Sequence, residues 1–210
     1  MPVAFSSRLR VGTLFLLLVS QCRFANTDDI PAPAGASSGS SASPAPSPDR
    51  SFPAAPAPRS VGDVLPEFQL ATPTVVLNST AALRQGPLVV VFFIGDFCGY
   101  CRRQLEGLQG RLGDFRAAGA TVWAVSADDA GTIAALARTL HLEFPLGSDA
   151  EGYLIRGFGV QSADRRIALP AVFVLTADGA GARVRYRHVG AAESDRVGVE
   201  DLLSAVRALR

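Results

Sequence analysis

Two cysteines lie between a strand-like apolar run and a helix-like segment, and this arrangement constrains the fold more than any other feature. Residues 87–94 form a continuous apolar run of strand length, which is typical of a strand buried on both faces. Cys98 and Cys101 follow, and apolar residues then recur at helical spacing: Leu105, Leu108, Leu112 and Phe115. The thiols are therefore predicted at a helix N-terminus, where unpaired N–H groups and the helix dipole favour the reactive thiolate.

The remainder of the domain alternates predicted strands and helices. Short apolar runs predict strands at 68–71, 74–77, 121–126, 144–146 and 171–175, and an Asp-Gly turn predicts a return strand at 183–189. Apolar residues at helical spacing predict helices near 133–140, 153–158 and 199–209. The order β-α-β-α-(β/α)-β-β-α predicts an α/β fold, with a central mixed sheet flanked by helices and an N-terminal β extension.

The N-terminal segment has the pattern of an export signal over residues 1–25. Arg8 and Arg10 precede a short apolar stretch at 11–19, and polar residues follow. A helix that spans a bilayer needs roughly 20 apolar residues, so this stretch is too short. We expect an exported protein whose domain is periplasmic or membrane-anchored outside the cytoplasm. The alternatives are an uncleaved anchor and a core helix.

Processing of this signal has two interpretations. Val19-Ser20-Gln21-Cys22 resembles the lipobox of bacterial lipoproteins, although Gln21 stands where that motif has a small residue. Cys22 is therefore either lipidated, which would tether the chain to a membrane, or discarded with the signal. Residues 26–58 are rich in Pro, Ala and Ser, a composition that predicts a disordered linker. Residues 59–210 then form one folded domain.

Composition and residue spacing disfavour several classes of function, with a zinc site and a static disulfide as the alternatives for the two thiols. The formal net charge is +1, which gives no electrostatic case for nucleic-acid binding. A zinc site needs four ligands, and His141 and His188 lack ligand-like spacing to the thiols. A static disulfide between Cys98 and Cys101 would constrain the unfolded chain little. No flavin or nicotinamide motif is visible, so we expect reversible dithiol chemistry without a cofactor or metal.

These motifs together resemble a known superfamily. The strand that leads to Phe97-Cys98-Gly99-Tyr100-Cys101, the later Pro170-Ala171-Val172-Phe173-Val174 and the final β-β-α unit resemble the thioredoxin fold. The entry segment at 61–70 is similar to that of the alkyl hydroperoxide reductase/thiol-specific antioxidant family. Residues 93–102 resemble the Gly-Asp-Trp-Cys-Pro-Tyr-Cys stretch of its peroxiredoxin-like members, with Phe97 and Gly99 as departures.

The resemblance implies roles for the residues of the motif. Cys98, nearer the strand end, would be the nucleophile, and Cys101, one turn further on, would resolve a mixed disulfide. Asp96 opposes the Cys98 thiolate and Arg102 favours it, so the sequence leaves the sign of their combined effect open. The remaining residues expected to tune the site are Phe97, Gly99 and Tyr100.

Two further positions follow from the same resemblance. The thioredoxin fold implies a cis bond before Pro170, with the neighbouring backbone at Leu169 and Pro170 contacting substrate; the alternative is a trans proline that begins a strand. Peroxiredoxins also use a Thr or Ser three residues before the reactive cysteine, and an Arg near the later strand. Gly95 and Pro170 occupy those positions here, which lowers the expectation of efficient peroxide reduction.

Three functions remain open at this point. The main prediction is a thiol-disulfide oxidoreductase enzyme that acts on a disulfide-bearing protein or small disulfide and is recharged by an upstream thiol electron donor. The first alternative is a thiol-dependent peroxidase, in which Cys98 becomes a sulfenic acid that condenses with Cys101. The second is a non-enzymatic copper-binding assembly factor that uses the thiols and one histidine.

Overall fold

The computed structural model describes residues 56–163, 165–179 and 181–209. The predicted signal peptide, Cys22 and all of the predicted linker except residues 56–58 lie outside the described residues. Residues 56–58 contact the domain, since Arg187 Nη1 lies 3.4 Å from the carbonyl oxygen of Pro58. Within the described part of the chain, no helix has the length and apolar character needed to cross a membrane.

A central sheet of six strands organises the domain. Its strands are β1 (Val64–Leu65), β4 (Leu88–Phe92), β5 (Thr121–Ser126), β6 (Leu146–Ser148), β7 (Ala171–Asp178) and β8 (Gly181–Val189). Their spatial order is β1-β8-β7-β4-β5-β6, with β4, β5 and β6 parallel and the other pairs antiparallel. The hairpin of β2 (Gln69–Ala71) and β3 (Val76–Asn78) forms the N-terminal β extension.

In the described part of the chain, six helices cover the two faces of this sheet. They are α1 (Ser79–Leu83), α2 (Gly99–Gly110), α3 (Leu112–Ala117), α4 (Ala130–Thr139), α5 (Tyr153–Gly157) and α6 (Val199–Arg207). Helices α2, α3, α4 and α6 contribute to the hydrophobic core on one face, and α1 and α5 to the core on the other. The predicted α/β fold with a mixed sheet flanked by helices is confirmed.

Strand β4 has the double burial that its continuous apolar sequence predicts. Val89 and Val91 pack in the core beneath α2, whereas Val90 and Phe92 pack in the core on the opposite face. Alternate side chains of a strand point to opposite faces, so an apolar residue is needed at each position. The strand thereby delivers its carboxyl end, and the cysteines that follow, to one edge of the sheet.

The helix after the cysteines differs from the sequence prediction at one point. Apolar spacing predicts one helix through Phe115, but α2 ends at Gly110 and α3 starts at Leu112, with Arg111 at φ −113° and ψ 12° between them. Gly107, Gly110 and Gly113 weaken helix propensity across this stretch, which explains the break. The predicted apolar face survives, because all four of its residues are buried in one core.

Candidate active site

Cys98 is the N-cap residue of α2. Its backbone is extended, at φ −84° and ψ 110°, and its sulfur accepts a hydrogen bond from the Cys101 N–H at 3.3 Å. A thiol here takes the place of the Ser, Thr or Asp side chain that usually satisfies a free N–H group at a helix start. Only 4% of Cys98 is exposed, so the sulfur lies just beneath the surface.

Cys101 lies one turn further into α2 and is completely buried, with 0% exposure. Burial raises the pKa of the Cys101 thiol to about 11, and its hydrogen bond with Cys98 acts in the same direction. Backbone hydrogen bonds from Gly95 and Ile94 and the positive charge of Arg196 oppose this rise in pKa. The structure thus brings together the two predicted catalytic residues, both as free thiols, the outer one slightly accessible and the inner one enclosed.

Arg196 reaches both sulfurs from a distant part of the chain. Its Nη2 lies 3.2 Å from Cys101 Sγ and 3.7 Å from Cys98 Sγ. Nη1 donates to the Gln104 side-chain oxygen at 2.6 Å, and Nε donates to the Glu193 carbonyl oxygen at 3.0 Å. These two anchors fix the planar guanidinium with its third nitrogen directed at the thiols.

The loop that carries the cysteines is held by Asp128, at the end of β5. The Asp128 carboxylate accepts hydrogen bonds from the Asp96 N–H at 3.0 Å and the Ser126 hydroxyl at 2.8 Å. Burial raises the pKa of Asp128. Asp129 is the N-cap of α4, and its neighbour Asp128 secures the loop between β4 and Cys98.

The loop that carries Arg196 is held by Asp195. The Asp195 carboxylate accepts from the Ala191 N–H at 2.9 Å and lies 3.0 Å from His188 Nε2. The Ala191 N–H and the nearby His188 lower the pKa of Asp195. Gly190 is required at the base of this loop, because a Cβ there would lie 2.2 Å from the Asp195 carbonyl oxygen and 3.0 Å from Pro170.

Asp96 and Arg102, the charges expected to tune Cys98, interact with each other. Arg102 Nε donates to the Asp96 carbonyl oxygen at 2.7 Å, and Arg102 Nη2 lies 3.9 Å from the Asp96 carboxylate. Both side chains are about 40% exposed, at 40% and 39%. The guanidinium that meets the sulfurs therefore belongs to Arg196, which the sequence analysis did not identify.

Phe97, Gly99 and Tyr100 form an exposed rim beside the thiols. Phe97 is 64% exposed and Tyr100 is 45% exposed. Arg103 stacks over the Tyr100 ring, with its Cζ 4.7 Å from the ring centroid. These aromatic rings stand on either side of Cys98 along the chain and present apolar surface where an incoming molecule would reach the sulfur.

Leu169 and Pro170 lie directly before β7 and line a cavity of about 150 Å³ together with Ile94 and the loop at 190–193. The Leu169 N–H donates to the Val160 carbonyl oxygen, and the Pro170 carbonyl oxygen accepts from the Gly190 N–H. No cis peptide bond occurs among the described residues, so the expected cis bond before Pro170 is wrong. The alternative holds, because a trans proline directly before a strand costs no ladder hydrogen bond. The substrate-contact role of both residues stays a prediction.

The other predicted residues lie apart from the sulfurs. His141 follows α4 in a left-handed conformation at φ 50°, and His188 pairs with Asp195. Among the described residues, no group of three or more His, Cys, Asp or Glu side chains is arranged to hold a metal. Gly95 faces Phe97, because a Cβ at Gly95 would lie 2.7 Å from that ring. A Thr could not occupy this position without displacing Phe97.

Comparisons with known proteins agree with this fold. The chloroplastic peroxiredoxin Q of wheat (Triticum aestivum) is 30% identical over 125 residues, which span 53% of this chain and 58% of that protein. The chain thus matches little more than half the length of this curated relative.

Solved structures share the fold at lower identity. Peroxidoxin BcpB of Mycobacterium tuberculosis superposes with a TM-score of 0.64 at 22% identity, covering 71% of this chain and 97% of that one. The AhpC structure of Enterococcus faecalis gives 0.63 at 20% identity, covering 71% and 91%. A reduced 2-Cys peroxiredoxin of Plasmodium vivax gives 0.63 at 21% identity, covering 72% and 82%.

The family model described as AhpC/TSA matches residues 61–184, which include both cysteines and the start of β7. The match covers more than half of the chain and confirms the resemblance predicted from the sequence. That family consists of thiol-dependent oxidoreductases, in agreement with the predicted class of enzyme. The chain belongs to the AhpC/TSA family.

Proposed function

We propose that this protein is a thiol-dependent peroxidase of the peroxiredoxin type, the alternative that the sequence analysis ranked second. The observation that carries the proposal is the guanidinium of Arg196, which is held against both thiols in a nearly closed site. The sequence lacks the expected Arg near the start of β7. Arg196 supplies a positive donor from another element and takes the place of that Arg, whereas the hydroxyl expected at position 95 is absent because that residue is Gly95.

The reaction divides between the two cysteines. The Cys98 thiolate attacks one oxygen of a hydroperoxide; an S–O bond forms, the O–O bond breaks, and the departing alkoxide or hydroxide takes up a proton. Cys98 is thereby oxidised to the sulfenic acid, and the peroxide is reduced. Cys101 then condenses with the sulfenic acid to give a disulfide and water, and an external dithiol reduces that disulfide.

Two properties of the site favour a small hydroperoxide as the substrate. Negative charge develops on the departing oxygen, and a fixed cation beside the reacting sulfur stabilises that charge; disulfide exchange has no such oxyanion. Cys98 is only 4% exposed, which suits a small oxidant better than the bulky in-line approach of a protein disulfide.

The test is stopped-flow reaction of the reduced full chain with hydrogen peroxide. We expect Cys98 to react far faster than a free thiol, and Cys98→Ser to abolish the reaction. Cys101→Ser should still form one equivalent of sulfenic acid, which dimedone traps and mass spectrometry locates. A wild-type rate equal to that of a free thiol would refute the peroxidase proposal.

The exposed rim supports a second candidate function, which is thiol-disulfide exchange with a protein partner. Phe97 and Tyr100 offer a docking surface beside Cys98, which either a reductant protein or a disulfide substrate would need. Reduction of insulin disulfides by the full chain, compared with peroxide turnover under the same conditions, distinguishes the two functions. Faster disulfide reduction would favour this second candidate.

We also propose that the domain acts outside the cytoplasm. The support is the charge and apolar pattern of residues 1–25 and the Pro-rich segment that follows. Fractionation of a bacterial host that expresses the full chain, with Cys22→Ala as the variant, tests both export and the tether. Membrane retention that is lost in Cys22→Ala supports lipidation, and cytoplasmic accumulation of the uncleaved chain would contradict export.

A further inference from the structure

The two sulfurs differ in how much they depend on Arg196. Cys98 is capped by the Cys101 N–H at 3.3 Å, so its thiolate has a backbone donor within the same helix turn. Cys101 is enclosed, and Arg196 Nη2 lies closer to it, at 3.2 Å against 3.7 Å for Cys98. The guanidinium therefore serves the inner sulfur more directly than the outer one.

The inner thiol, Cys101, is also hard to deprotonate. Cys101 must lose its proton to attack the oxidised Cys98, yet burial holds its pKa at about 11, well above neutral pH. In the part of the chain that the structure describes, Arg196 is the charged group that faces this thiol and Cys98 is the titratable one. A fixed cation at this distance stabilises the developing thiolate in surroundings that otherwise penalise charge.

The guanidinium is held in place independently of the sulfurs. Gln104, on α2, accepts from Nη1, and the Glu193 carbonyl oxygen accepts from Nε. Helix α6, which starts three residues after Arg196, is joined to α2 by an ion pair between Arg111 and Glu200. Arg196 is therefore held against α2 by contacts that involve neither sulfur, as a resolving step requires.

We infer that Arg196 is a catalytic residue of the resolving step, in which its Nη2 stabilises the Cys101 thiolate that attacks the Cys98 sulfur. In this step the Cys101 S–H bond breaks, an S–S bond forms, and the Cys98 S–O bond breaks. The proton leaves with the departing hydroxide as water; the Cys98 sulfur is reduced and the Cys101 sulfur is oxidised. The inference rests on the proposed peroxidase function, but the same thiolate attack resolves any mixed disulfide on Cys98.

A small neutral disulfide separates the two half-reactions. When the reduced full chain carrying Cys22→Ala, which removes the one other cysteine of the sequence, reacts with excess 4,4′-dithiodipyridine, attack by Cys98 releases one thiopyridone and attack by Cys101 releases a second. We expect Arg196→Gln to slow the second release about tenfold or more and to change the first by less than about threefold, as loss of one charge-assisted hydrogen bond predicts. The pH midpoint of the second release should move upward, and Arg196→Lys should recover part of the rate.

The control is Arg138→Gln, which removes the same charge from the exposed C-terminal turn of α4. If Arg196→Gln fails to fold, Gln104→Leu releases Nη1 without touching either sulfur and should slow the second release by a smaller factor. A second release that is unchanged in rate and pH midpoint, or equal slowing of both releases, would overturn the inference.

A second experiment, with hydrogen peroxide as the oxidant, distinguishes failure of this inference from failure of the proposed function. In Arg196→Gln the Cys98 sulfenic acid should form more slowly but persist longer, so a larger share of the oxidised protein should become sulfinic acid, detected by mass spectrometry. A wild-type chain that reacts with peroxide no faster than a free thiol refutes the peroxidase. The Arg196 dependence of the second thiopyridone release is unaffected by that outcome and decides the role of Arg196 alone.

Discussion

Two loops meet at the sulfurs, and they differ in how the chain specifies them. The first joins β4 to Cys98 and is fixed by the half-buried Asp128 through the Asp96 N–H. The second joins β8 to α6, carries Arg196, and is fixed by the more exposed Asp195 through the Ala191 N–H. The first loop supplies the reacting atoms and depends on the core, whereas the second supplies charge and depends on surface contacts. Substitutions in the first loop should therefore displace the thiols, and substitutions in the second should displace the Arg196 guanidinium, each without the other.

The largest expected effect comes from removing the support of the first loop. Asp128→Ala leaves the Asp96 N–H and the Ser126 hydroxyl without an acceptor in a partly buried site, which should lower the free energy of unfolding by about 1–3 kcal/mol. The rate of Cys98 attack should fall as well, because the loop before it is released. Urea unfolding and the first thiopyridone release measure the two effects.

Asp129→Ala is the matched control for this prediction. It removes the N-cap of α4, with an expected loss of about 1 kcal/mol, and the Asp129 carboxylate accepts its hydrogen bonds from Gly131 and Thr132 of that helix, whereas Asp128 accepts from the cysteine loop. Stability should therefore fall while thiol reactivity stays at the wild-type level. Equal reactivity in Asp128→Ala and Asp129→Ala would show that Asp128 acts through stability alone.

The second prediction concerns pH and the same carboxylate. Burial raises the pKa of Asp128 above its unfolded value, so the folded protein binds a proton more readily than the unfolded chain. The resulting contribution to stability is present below the unfolded pKa of about 4 and is lost as pH rises through the raised folded value. Asp128→Asn retains an oxygen acceptor but has no carboxyl group to titrate. As pH rises, the free energy of unfolding of Asp128→Asn should therefore increase relative to that of the wild type. Curves that stay parallel as pH rises above the unfolded pKa of about 4 would contradict the assignment.

The third prediction disturbs the second loop. Asp195→Ala frees the Ala191 N–H at an exposed site, so its effect on stability should stay within about 0.5 kcal/mol. Arg196 would be held less firmly, and the second thiopyridone release should slow by about threefold, which corresponds to less than one full hydrogen bond. Glu106→Ala, an equal charge change on the exposed side of α2, should leave both releases unchanged. If Asp195→Ala slowed only the first release, the second loop would position Cys98 and not the cation beside Cys101, contrary to the comparison above.

The contrast between these two loops also explains which parts of the site could be predicted from the sequence. Strand β4 and the cysteines at the start of α2 follow from patterns within about twenty residues, because burial and helix periodicity are local properties. Arg196 is separated from Cys101 by 95 positions and lies in a loop without periodicity, so no local pattern identifies it. The useful signal was indirect: the family resemblance implies an Arg, and Pro170 occupies its expected position. The role of Asp128 was missed for the same reason, since it depends on how β5 and β4 lie side by side.

The smallest expected effect tests whether Gly95 limits the first loop. A Cβ at Gly95 would lie 2.7 Å from Phe97, but that ring is 64% exposed and can rotate into solvent. Gly95→Ala should therefore cost less than about 1 kcal/mol of stability, and Phe97→Ala in the same chain should recover most of that cost. The coupling energy from a double-mutant cycle in urea measures this contact. If the coupling energy is zero, the backbone conformation at Gly95, and not the Phe97 ring, is what disfavours a side chain at this position. Gly95→Ala would then lower stability equally with and without Phe97.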